Sequence, residues 1–225
     1  MLLTQGSKLN WMVDLPEGIV AAIERSCTHL SLKPGDNVYH RNDSSACLYQ
    51  VLSGRLRVRN YSNSGKELLV GYLIPGDCFG EMGLIDGLDR VNDIDAEFET
   101  TLAMLPGHHF NRLREIHREI DQQLMIMLCR RSRLIFDLHD RSFLMDFPRR
   151  LASRLCDLAT LQLKQHSSAP PELKTSHEDL GKFVGASRQS VSTAIKGWER
   201  EGLLQQKYGK ILLLKITELK DFSES

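Results

Sequence analysis

The stretch that decides the fold is Thr175–Leu204, TSHEDLGKFVGASRQSVSTAIKGWEREGLL, which predicts two helices joined by a tight turn. Thr175 or Ser176 can cap the first helix, where free N–H groups and the helix dipole favour hydroxyls and carboxylates. Gly185 provides the backbone freedom that ends this helix, and Ser187 can cap the second one. Apolar residues recur at three- and four-residue spacing in both helices, so each buries one face and leaves the other free.

The free face of the second helix carries hydrogen-bonding side chains and no carboxylate. Base edges in the DNA major groove offer donors and acceptors that such side chains match, whereas phosphates repel acidic groups. Two strands are then predicted around the basic turn Lys207-Tyr208-Gly209-Lys210, a hairpin that can contact phosphates. These features predict a winged helix-turn-helix on double-stranded DNA; the alternative is a helical hairpin that packs a small domain. The candidate DNA-binding residues are Ser187, Arg188, Gln189, Ser192, Thr193, Lys196, Lys207 and Lys210.

The charge of the chain is unevenly distributed. With 225 residues and 41% hydrophobic residues, the chain can bury a sizeable core in one large or two smaller domains. Its formal net charge of zero argues against a non-specific nucleic-acid coat protein. Residues 1–146 hold 16 Lys and Arg against 20 Asp and Glu, whereas residues 147–225 hold 13 against 9. The positive charge thus lies with the predicted helix-turn-helix, as attraction to phosphates requires.

Several classes of protein are disfavoured by the sequence. No apolar run approaches the ~18 residues of a transmembrane helix, and the start MLLTQGSKLNW is unlike a signal peptide, so we expect a cytoplasmic protein without a membrane partner. The five cysteines form no CxxC pair, so buried thiols are expected and no metal site is predicted. No Walker loop, HExxH or Ser, His and Asp order is present, so no catalytic residue and no enzyme activity are predicted. The alternative is a nucleotide-regulated enzyme whose C-terminal domain is an interaction module.

The first half of the chain predicts a helix followed by an antiparallel β-roll. Residues 1–30 have a helical pattern, after which the period changes to short apolar or alternating stretches. Turn signals such as Pro34-Gly35-Asp36 and Ser53-Gly54 separate these stretches, as in an antiparallel roll or barrel. An acidic loop over 86–95 precedes a closing strand over 98–105.

A long helix is predicted over residues 109–143, and its apolar positions repeat at three- and four-residue spacing. Such a seam predicts pairing with a twin helix in a homodimer. The alternative is burial of the same stripe against the chain's own roll. The predicted dimer seam is Leu124, Leu128, Arg131, Ile135 and Leu138.

A hinge and a further helix are predicted between the long helix and the DNA-binding unit. Asp146-Phe147-Pro148 predicts the hinge, residues 149–165 the helix and residues 166–171 a loop. The fold class is therefore α+β. The predicted domains are a β-roll over 1–108, a dimerisation helix and hinge over 109–146, and a winged helix-turn-helix over 147–225.

A β-roll, a long helix and a winged helix-turn-helix, in that order, resemble the Crp/Fnr family of bacterial transcription regulators over nearly the whole chain. This resemblance implies a homodimer that binds a two-fold symmetric DNA site, a signal received by the roll, and RNA polymerase as a further partner. The matching motifs are Pro34-Gly35-Asp36, Ser53-Gly54, Pro75-Gly76-Asp77, Phe79-Gly80-Glu81-Met82-Gly83-Leu84 and Val184-Gly185-Ala186-Ser187-Arg188.

The resemblance also places an effector pocket in the roll. Gly80, Glu81 and Arg90 occupy the positions at which cyclic-nucleotide-binding members hold their ligand. A carboxylate there can accept from a ribose hydroxyl, and a guanidinium can pair with a cyclic phosphate. This chain departs from the pattern at Val91, where cyclic-AMP binders have a hydroxyl residue, and in the following Asn92-Asp93-Ile94-Asp95, which adds carboxylates.

Further departures concern the nucleotide base and the phosphate. Ile135 and Phe136 align with two hydroxyl residues that read adenine in the cyclic-AMP-responsive proteins, and neither can hydrogen-bond a base. Asp89 and Asp93 can pair with Arg90 and leave no vacancy for phosphate. Cyclic AMP in the family's usual pose is therefore disfavoured, while other effectors remain open. The alternative is an effector-independent regulator whose pocket these side chains fill.

Two other cofactors are also disfavoured. The iron–sulfur branch of the family has an N-terminal cysteine cluster that this chain lacks. Haem would have axial ligands available, but a lone Cys or a surface His is more often structural. The candidate haem ligands are Cys78, His108, His109 and His117.

The recognition helix departs from the family's usual residues. Arg188 matches the first base-reading arginine, whereas Gln189 and Thr193 replace a glutamate and a second arginine. Arg188 is expected to read a guanine and Gln189 an adenine, so the half-site should differ from those of the best-known members. Lys196 and Ser176 match positions that grip phosphate, and they should supply affinity more than specificity.

Overall fold

The computed structural model describes residues 9–163, 170–207 and 209–224. It confirms the predicted α+β class. As far as they are described, residues 9–61 and 70–135 form one compact unit and residues 62–69 and 136–224 form another. The strands are β1 (Thr28–Leu32), β2 (Asn37–Tyr39), β3 (Cys47–Ser53), β4 (Leu56–Tyr61), β5 (Glu67–Leu73), β6 (Cys78–Phe79), β7 (Asp93–Ala96), β8 (Thr100–Pro106), β9 (Glu172–Leu173), β10 (Leu204–Lys207) and β11 (Lys210–Leu213). The helices are α1 (Glu17–Arg25), α2 (Met82–Asp86), α3 (Gly107–Ile116), α4 (Arg118–Leu144), α5 (Phe147–Leu163), α6 (His177–Val184), α7 (Arg188–Arg200) and α8 (Ile216–Glu224).

Two four-stranded sheets form the predicted β-roll, with strand orders β1-β8-β3-β6 and β2-β7-β4-β5. β8 pairs antiparallel with both of its neighbours, and so does β7. Alternation along β4 decides which side chains face the core. Leu56 and Val58 are buried, whereas Arg57 and Arg59 lie on the other face of the sheet.

A second apolar cluster joins α1, α3 and the first half of α4. The rings of Trp11 and Phe110 meet edge to face, with centroids 6.2 Å apart. Ile120, Leu124 and Met127 of α4 are buried in the same cluster. The first half of α4 therefore packs against its own chain.

The first helix is shorter than the sequence predicted. Within the described part of residues 1–30, the helix occupies only Glu17–Arg25, where Ile19 and Ile23 supply its buried face. A strand begins at Thr28 and pairs with β8 over its whole length. The partner strand lies about 70 residues away in sequence, so the local pattern did not indicate the pairing.

The predicted helix over 109–143 is interrupted at one residue. His117 has φ −122° and ψ 96°, an extended conformation that separates α3 from α4. Neither proline nor glycine marks this position. The break allows Phe110 and Leu113 of α3 to be buried in the same cluster as Ile120 of α4.

The predicted acidic loop over 86–95 contains the start of β7. Ile94 is buried in the roll, and the Asp95 carboxylate lies opposite two arginines of β4. Arg57 Nη2 and Arg59 Nε are 2.5 and 2.6 Å from the Asp95 carboxylate oxygens. Cross-strand ion pairs thus compensate the acidic residues that made this stretch resemble a loop.

The turn at Ser53-Gly54 has a steric requirement for glycine. Gly54 has φ +88°, and a Cβ there would overlap the Glu99 carbonyl oxygen and the Thr100 side chain. We expect Gly54→Ala to destabilise the roll by about 2–5 kcal/mol, from the left-handed backbone and the overlap together. Gly65→Ala is the matched control, since Gly65 has φ +78° and open space around it, and should cost about 1–2 kcal/mol. Urea unfolding measures both; equal losses would contradict the steric assignment.

The second unit packs α5 to α8 with a small sheet of strand order β10-β11-β9. Its core unites side chains from every one of these helices, among them Leu155, Leu180, Ile195 and Leu219. Trp198 closes the cluster and meets the Phe222 ring edge to face at 5.9 Å. This core fixes the exposed faces of α6 and α7.

Two predicted boundaries in this unit are wrong. Phe147 and Pro148 belong to α5 rather than to a hinge, because Asp146 accepts the Arg149 N–H at 3.1 Å and caps the helix. The second strand of the wing was predicted over 211–216, but β11 ends at Leu213 and α8 begins at Ile216. The predicted helix end at 164–165 and the predicted loop over 166–169 lie outside the described residues.

Candidate functional site

The predicted helix-turn-helix is confirmed, together with its caps. Ser176 Oγ accepts the Asp179 N–H at 3.0 Å and donates to the Asp179 carboxylate at 2.7 Å, which closes the first turn of α6. Gly185 ends α6 with φ +69°. Ser187 Oγ accepts the Ser190 N–H at 3.0 Å and starts α7. The hydroxyls of Ser176 and Ser187 are therefore engaged in caps before any DNA is considered.

The buried side of α7 determines which side chains reach solvent. Val191, Ile195 and Trp198 are buried in the core of the unit. The opposite face presents Arg188, Gln189, Thr193 and Lys196 as exposed side chains and Ser192 as a half-buried one. Thr193 Oγ1 donates to the Gln189 carbonyl at 3.0 Å, so in this conformation its hydroxyl is left to accept a hydrogen bond from a base. Across the residues that the structure describes, Arg188 and Lys196 form no ion pair.

The predicted wing is a hairpin of β10 and β11 with full antiparallel pairing. Lys207 is exposed, whereas Lys210 Nζ lies 2.5 Å from Glu172 of β9, so the wing holds one of its two lysines in an ion pair. Tyr208 of the predicted turn lies outside the described residues.

Glu199 attaches the wing to the recognition helix, a role that the sequence-based interpretation missed. Its two carboxylate oxygens accept the Gln206 backbone N–H and the Gln206 side-chain amide, each at 2.7 Å. These two hydrogen bonds lower the pKa of Glu199. A carboxylate near a helix C-terminus opposes the helix dipole, and that mismatch was the available signal that Glu199 has a partner.

Glu81 of the predicted effector pocket is fully buried and paired. Its Oε1 lies 2.5 Å from Arg131 Nη1, and Arg131 Nη2 donates to the Cys78 carbonyl at 3.2 Å. Arg131 was predicted to lie in the dimer seam; its side chain instead faces the roll of its own chain. The sequence-based interpretation thus missed Arg131 as the ion-pair partner of Glu81.

Arg90 is also bound, but not by the carboxylates that were predicted. Its Nη1 donates to the Gly80 carbonyl at 2.6 Å and its Nη2 to the Cys47 carbonyl at 2.5 Å, while its guanidinium lies 4.3 Å from the centre of the Tyr39 ring. Asp93 pairs with His40 at 2.9 Å instead. Arg90 is 6% exposed, so it is a buried cation held by carbonyl dipoles and an aromatic face.

The pocket keeps several polar atoms without a hydrogen-bond partner among the described residues. These atoms are Glu81 Oε2, Arg90 Nε, Arg131 Nε and Asp77 Oδ1, and each is buried. Burial raises the pKa of Asp77 to about 8, so this carboxyl is largely protonated at neutral pH. Glu81 is paired with Arg131, and Arg90 has no carboxylate partner among the described residues.

The other residues predicted for the effector pocket lie outside this buried polar cluster. Val91 is 51% exposed, and the side-chain amide of Asn92 contacts that of Asn60 at 2.9 Å. Ile135 and Phe136 are 53% and 69% exposed, so they do not fill the pocket within the chain as predicted.

Of the predicted seam only Ile135 is exposed, whereas the α4 residues one position further along the chain are all exposed. Leu124 is 2% exposed and belongs to the core of its own unit, and Leu128 packs partly against it. Leu138 is half-buried. We call the exposed set the α4 stripe; it follows an alternating four- and three-residue spacing. The α4 stripe consists of Met125, Cys129, Ser132, Phe136, His139 and Phe143.

Of the candidate haem ligands, Cys78 is buried, His109 and His117 are half-buried and His108 is exposed. Cys78 is fully buried, and its thiol lies 3.4 Å from Asn10 Oδ1. His108 and His109 begin α3 with ring centroids 4.1 Å apart. Over 9–163, 170–207 and 209–224, no three His, Cys, Asp or Glu side chains come together as metal ligands. In the same ranges no helix is long and apolar enough to cross a membrane.

A β-roll with a buried polar cluster, a long helix and a winged helix-turn-helix define a cyclic-nucleotide-binding-like domain followed by a DNA-binding domain. Residues 29–117 match the cyclic nucleotide-binding domain family, and residues 149–222 match the Crp-like helix-turn-helix domain family. The transcriptional regulator SdrP of Thermus thermophilus is 30% identical over 177 residues, which cover 79% of this chain and 84% of SdrP. The chain belongs to the Crp/Fnr family of transcription regulators.

One further relative and one solved structure are similar to this chain. The cAMP-activated global transcriptional regulator CRP of Haemophilus influenzae is 29% identical over 192 residues, covering 83% of this chain and 84% of that protein. A crystal structure of a regulator of the crp/fnr family from Eubacterium rectale superposes with a TM-score of 0.76 at 21% identity. It covers 94% of this chain and 96% of that one, and supports the fold alone.

Proposed function

We propose that the protein is a homodimeric transcription regulator that reads a two-fold symmetric DNA site. The observation that carries this proposal is the exposed face of α7, where Arg188, Gln189 and Lys196 stand free of ion pairs within the described residues. The helix caps and the buried Val191 and Ile195 hold that face rigidly outward. RNA polymerase is the expected further partner, by resemblance to the family.

Selection from a random pool of DNA duplexes tests this proposal directly. The full chain should enrich inverted repeats whose half-sites contain a guanine for Arg188 and an adenine for Gln189. Enrichment of a single asymmetric site would contradict the two-fold symmetry. Retention of all duplexes alike, with no enriched sequence, would contradict base reading by α7.

The α4 stripe supports the dimer. An alternation of four- and three-residue steps is the spacing of a two-stranded coiled coil, and the six positions span most of a 27-residue helix. Three of them, Met125, Phe136 and Phe143, are large apolar side chains that are each more than half exposed in the single chain. A second copy of α4 covers them and supplies the second recognition helix that an inverted repeat requires.

We also propose that the effector is an anion held at Arg90. A buried cation without a carboxylate partner is costly, and an anionic ligand would compensate it. The Crp-like relatives that are named as cAMP-activated suggest a cyclic nucleotide as the first candidate. Val91, Ile135 and Phe136 disfavour cyclic AMP in the family's usual pose, so other cyclic nucleotides are equal candidates.

The alternative is a regulator that needs no effector. Arg131 already neutralises Glu81, and two carbonyls and the Tyr39 ring already hold Arg90. These contacts favour a pocket that its own side chains complete. In this version the pocket is completed by these contacts, and not by Ile135, Phe136 and the aspartates as the sequence had predicted.

Thermal unfolding with millimolar cyclic AMP or cyclic GMP separates the two versions. A ligand at about a hundred times its dissociation constant adds about 2.7 kcal/mol to the stability of the folded state. The anionic-effector version predicts a rise in the unfolding temperature that is lost in Arg90→Gln. A rise that persists in this variant would contradict the assigned role of Arg90. No rise with either nucleotide favours the effector-independent version.

A further inference from the structure

A basic groove of about 420 Å³ lies where the start of α6, the start of α7 and the wing meet. Its lining includes Ser176, Arg188, Lys207 and Lys210, which were all predicted to contact DNA. His177, which was not among the predicted residues, also lines this groove as the first residue of α6 and is half-buried there.

The His177 ring is held by the same network that holds the wing. It hydrogen-bonds with the side chain of Gln206. The Gln206 side-chain nitrogen already donates to Glu199 at 2.7 Å, so its oxygen remains to accept from the imidazole.

Burial and the neighbouring cations lower the pKa of His177 in the free protein. Burial is the largest cause that lowers its pKa, and the cations Arg188 and Lys196 of α7 lower it further, against the opposing hydrogen bond with Gln206. The nearby carboxylates are all committed elsewhere. Glu178 is paired with Lys182, Asp179 with the Ser176 hydroxyl, Glu199 with Gln206, and Glu172 with Lys210, while Lys207 adds a further positive charge from β10.

We propose that His177 is a titratable phosphate contact, which takes up a proton from solvent when a DNA phosphate enters this groove. A nearby anion favours the charged form of an imidazole, and a charged N–H donor to a phosphate oxygen forms a strong hydrogen bond. Glu178 is the one carboxylate among the described residues that line the groove, and it is paired with Lys182, so a DNA phosphate would supply a further anion. This inference rests on the proposed DNA-binding function.

The direction of the pH effect follows from the two states. DNA raises the pKa of His177 from its lowered value in the free protein, so the complex holds more protons between the two values. Affinity therefore rises as pH falls through this window, by at most about tenfold per pH unit for each proton taken up. A dimer has two such rings, so the limit is about a hundredfold per unit. Below and above the window, affinity levels off.

Fluorescence anisotropy with a selected duplex at constant ionic strength tests the inference between pH 5.5 and 8.5, roughly the range in which imidazoles titrate. The wild type should bind more tightly as pH falls. His177→Gln retains a donor for Gln206 and should bind weakly with a flat profile, whereas His177→Arg should bind tightly with a flat profile. His29→Gln, an exposed substitution on β1, should keep the slope of the wild type.

The outcomes distinguish this inference from the proposed function. An unchanged slope in His177→Gln, or a flat profile in the wild type, would overturn the inference while DNA binding stands. Absence of specific binding at every pH would contradict the proposed function instead. Calorimetry in buffers of different ionisation enthalpy provides a second readout: the wild type should take up protons on binding DNA near neutral pH, and His177→Gln should not. Thermal unfolding of each variant confirms that it is folded.

Discussion

Phe136→Asp is expected to dissociate the dimer and to weaken specific DNA binding by about a hundredfold or more. The Phe136 ring is 69% exposed in the single chain and lies in the middle of the α4 stripe. Burying one such ring contributes about 1.5–3 kcal/mol, and a dimer buries two. The loss of about 3 kcal/mol or more, before any repulsion between the new carboxylates, corresponds to at least about a hundredfold in the dimer dissociation constant.

The same substitution at an exposed phenylalanine of the roll is the matched control. Phe98 is half-exposed and lies outside α4, so Phe98→Asp should leave the dimer intact. Sedimentation measures the oligomeric state of both variants. Mild oxidation gives an independent readout, because Cys129 lies in the α4 stripe and should crosslink to its twin in the wild type but not in Cys129→Ser. A stable Phe136→Asp dimer would contradict the assignment of the α4 stripe.

Arg188→Ala is expected to cost about 1–3 kcal/mol at each half-site, because a bidentate contact to guanine is lost. Over two half-sites this amounts to about 30-fold or more in affinity for the selected duplex. Binding to unrelated duplexes should change far less, so the specificity ratio should fall. Competition between selected and random duplexes measures that ratio.

Lys196→Ala is the comparison variant for Arg188→Ala, since both side chains are exposed on α7 and free of ion pairs within the described residues. A lost phosphate contact should weaken binding to all sequences alike. It should also reduce the slope of log affinity against log salt concentration by about one for each protomer. Identical behaviour of the two variants would contradict the division of α7 into base-reading and phosphate-binding side chains.

The winged helix-turn-helix was predictable because its signals are local. Ser176 and Ser187 cap helices within three residues of their partners, and Gly185 adopts the left-handed conformation that its place in the sequence indicated. The apolar spacing of α7 likewise defines its buried side without knowledge of the rest of the chain. Turn signals and alternation similarly indicated four strands of the roll, β3, β4, β5 and β8.

The parts that the sequence did not predict depend on long-range contacts. Arg131 and Glu81 are 50 residues apart, and Arg90 and Cys47 are 43 apart, so no local pattern connects them. The predicted seam includes Leu124, which is buried in the core of its own unit, and this packing against residues far away in sequence could not be read from the spacing within α4. The break at His117 has no local signal, because neither proline nor glycine occurs there.

Methylation interference on the selected duplex tests the central claim most directly. Dimethyl sulfate methylates guanine N7 in the major groove and adenine N3 in the minor groove, and Arg188 is proposed to bind guanine N7. Premethylation of one guanine in each half-site should abolish binding, with the two half-sites centred about 34–36 Å apart or a multiple of that distance. Interference confined to adenine N3, or to no base at all, would contradict major-groove reading by α7.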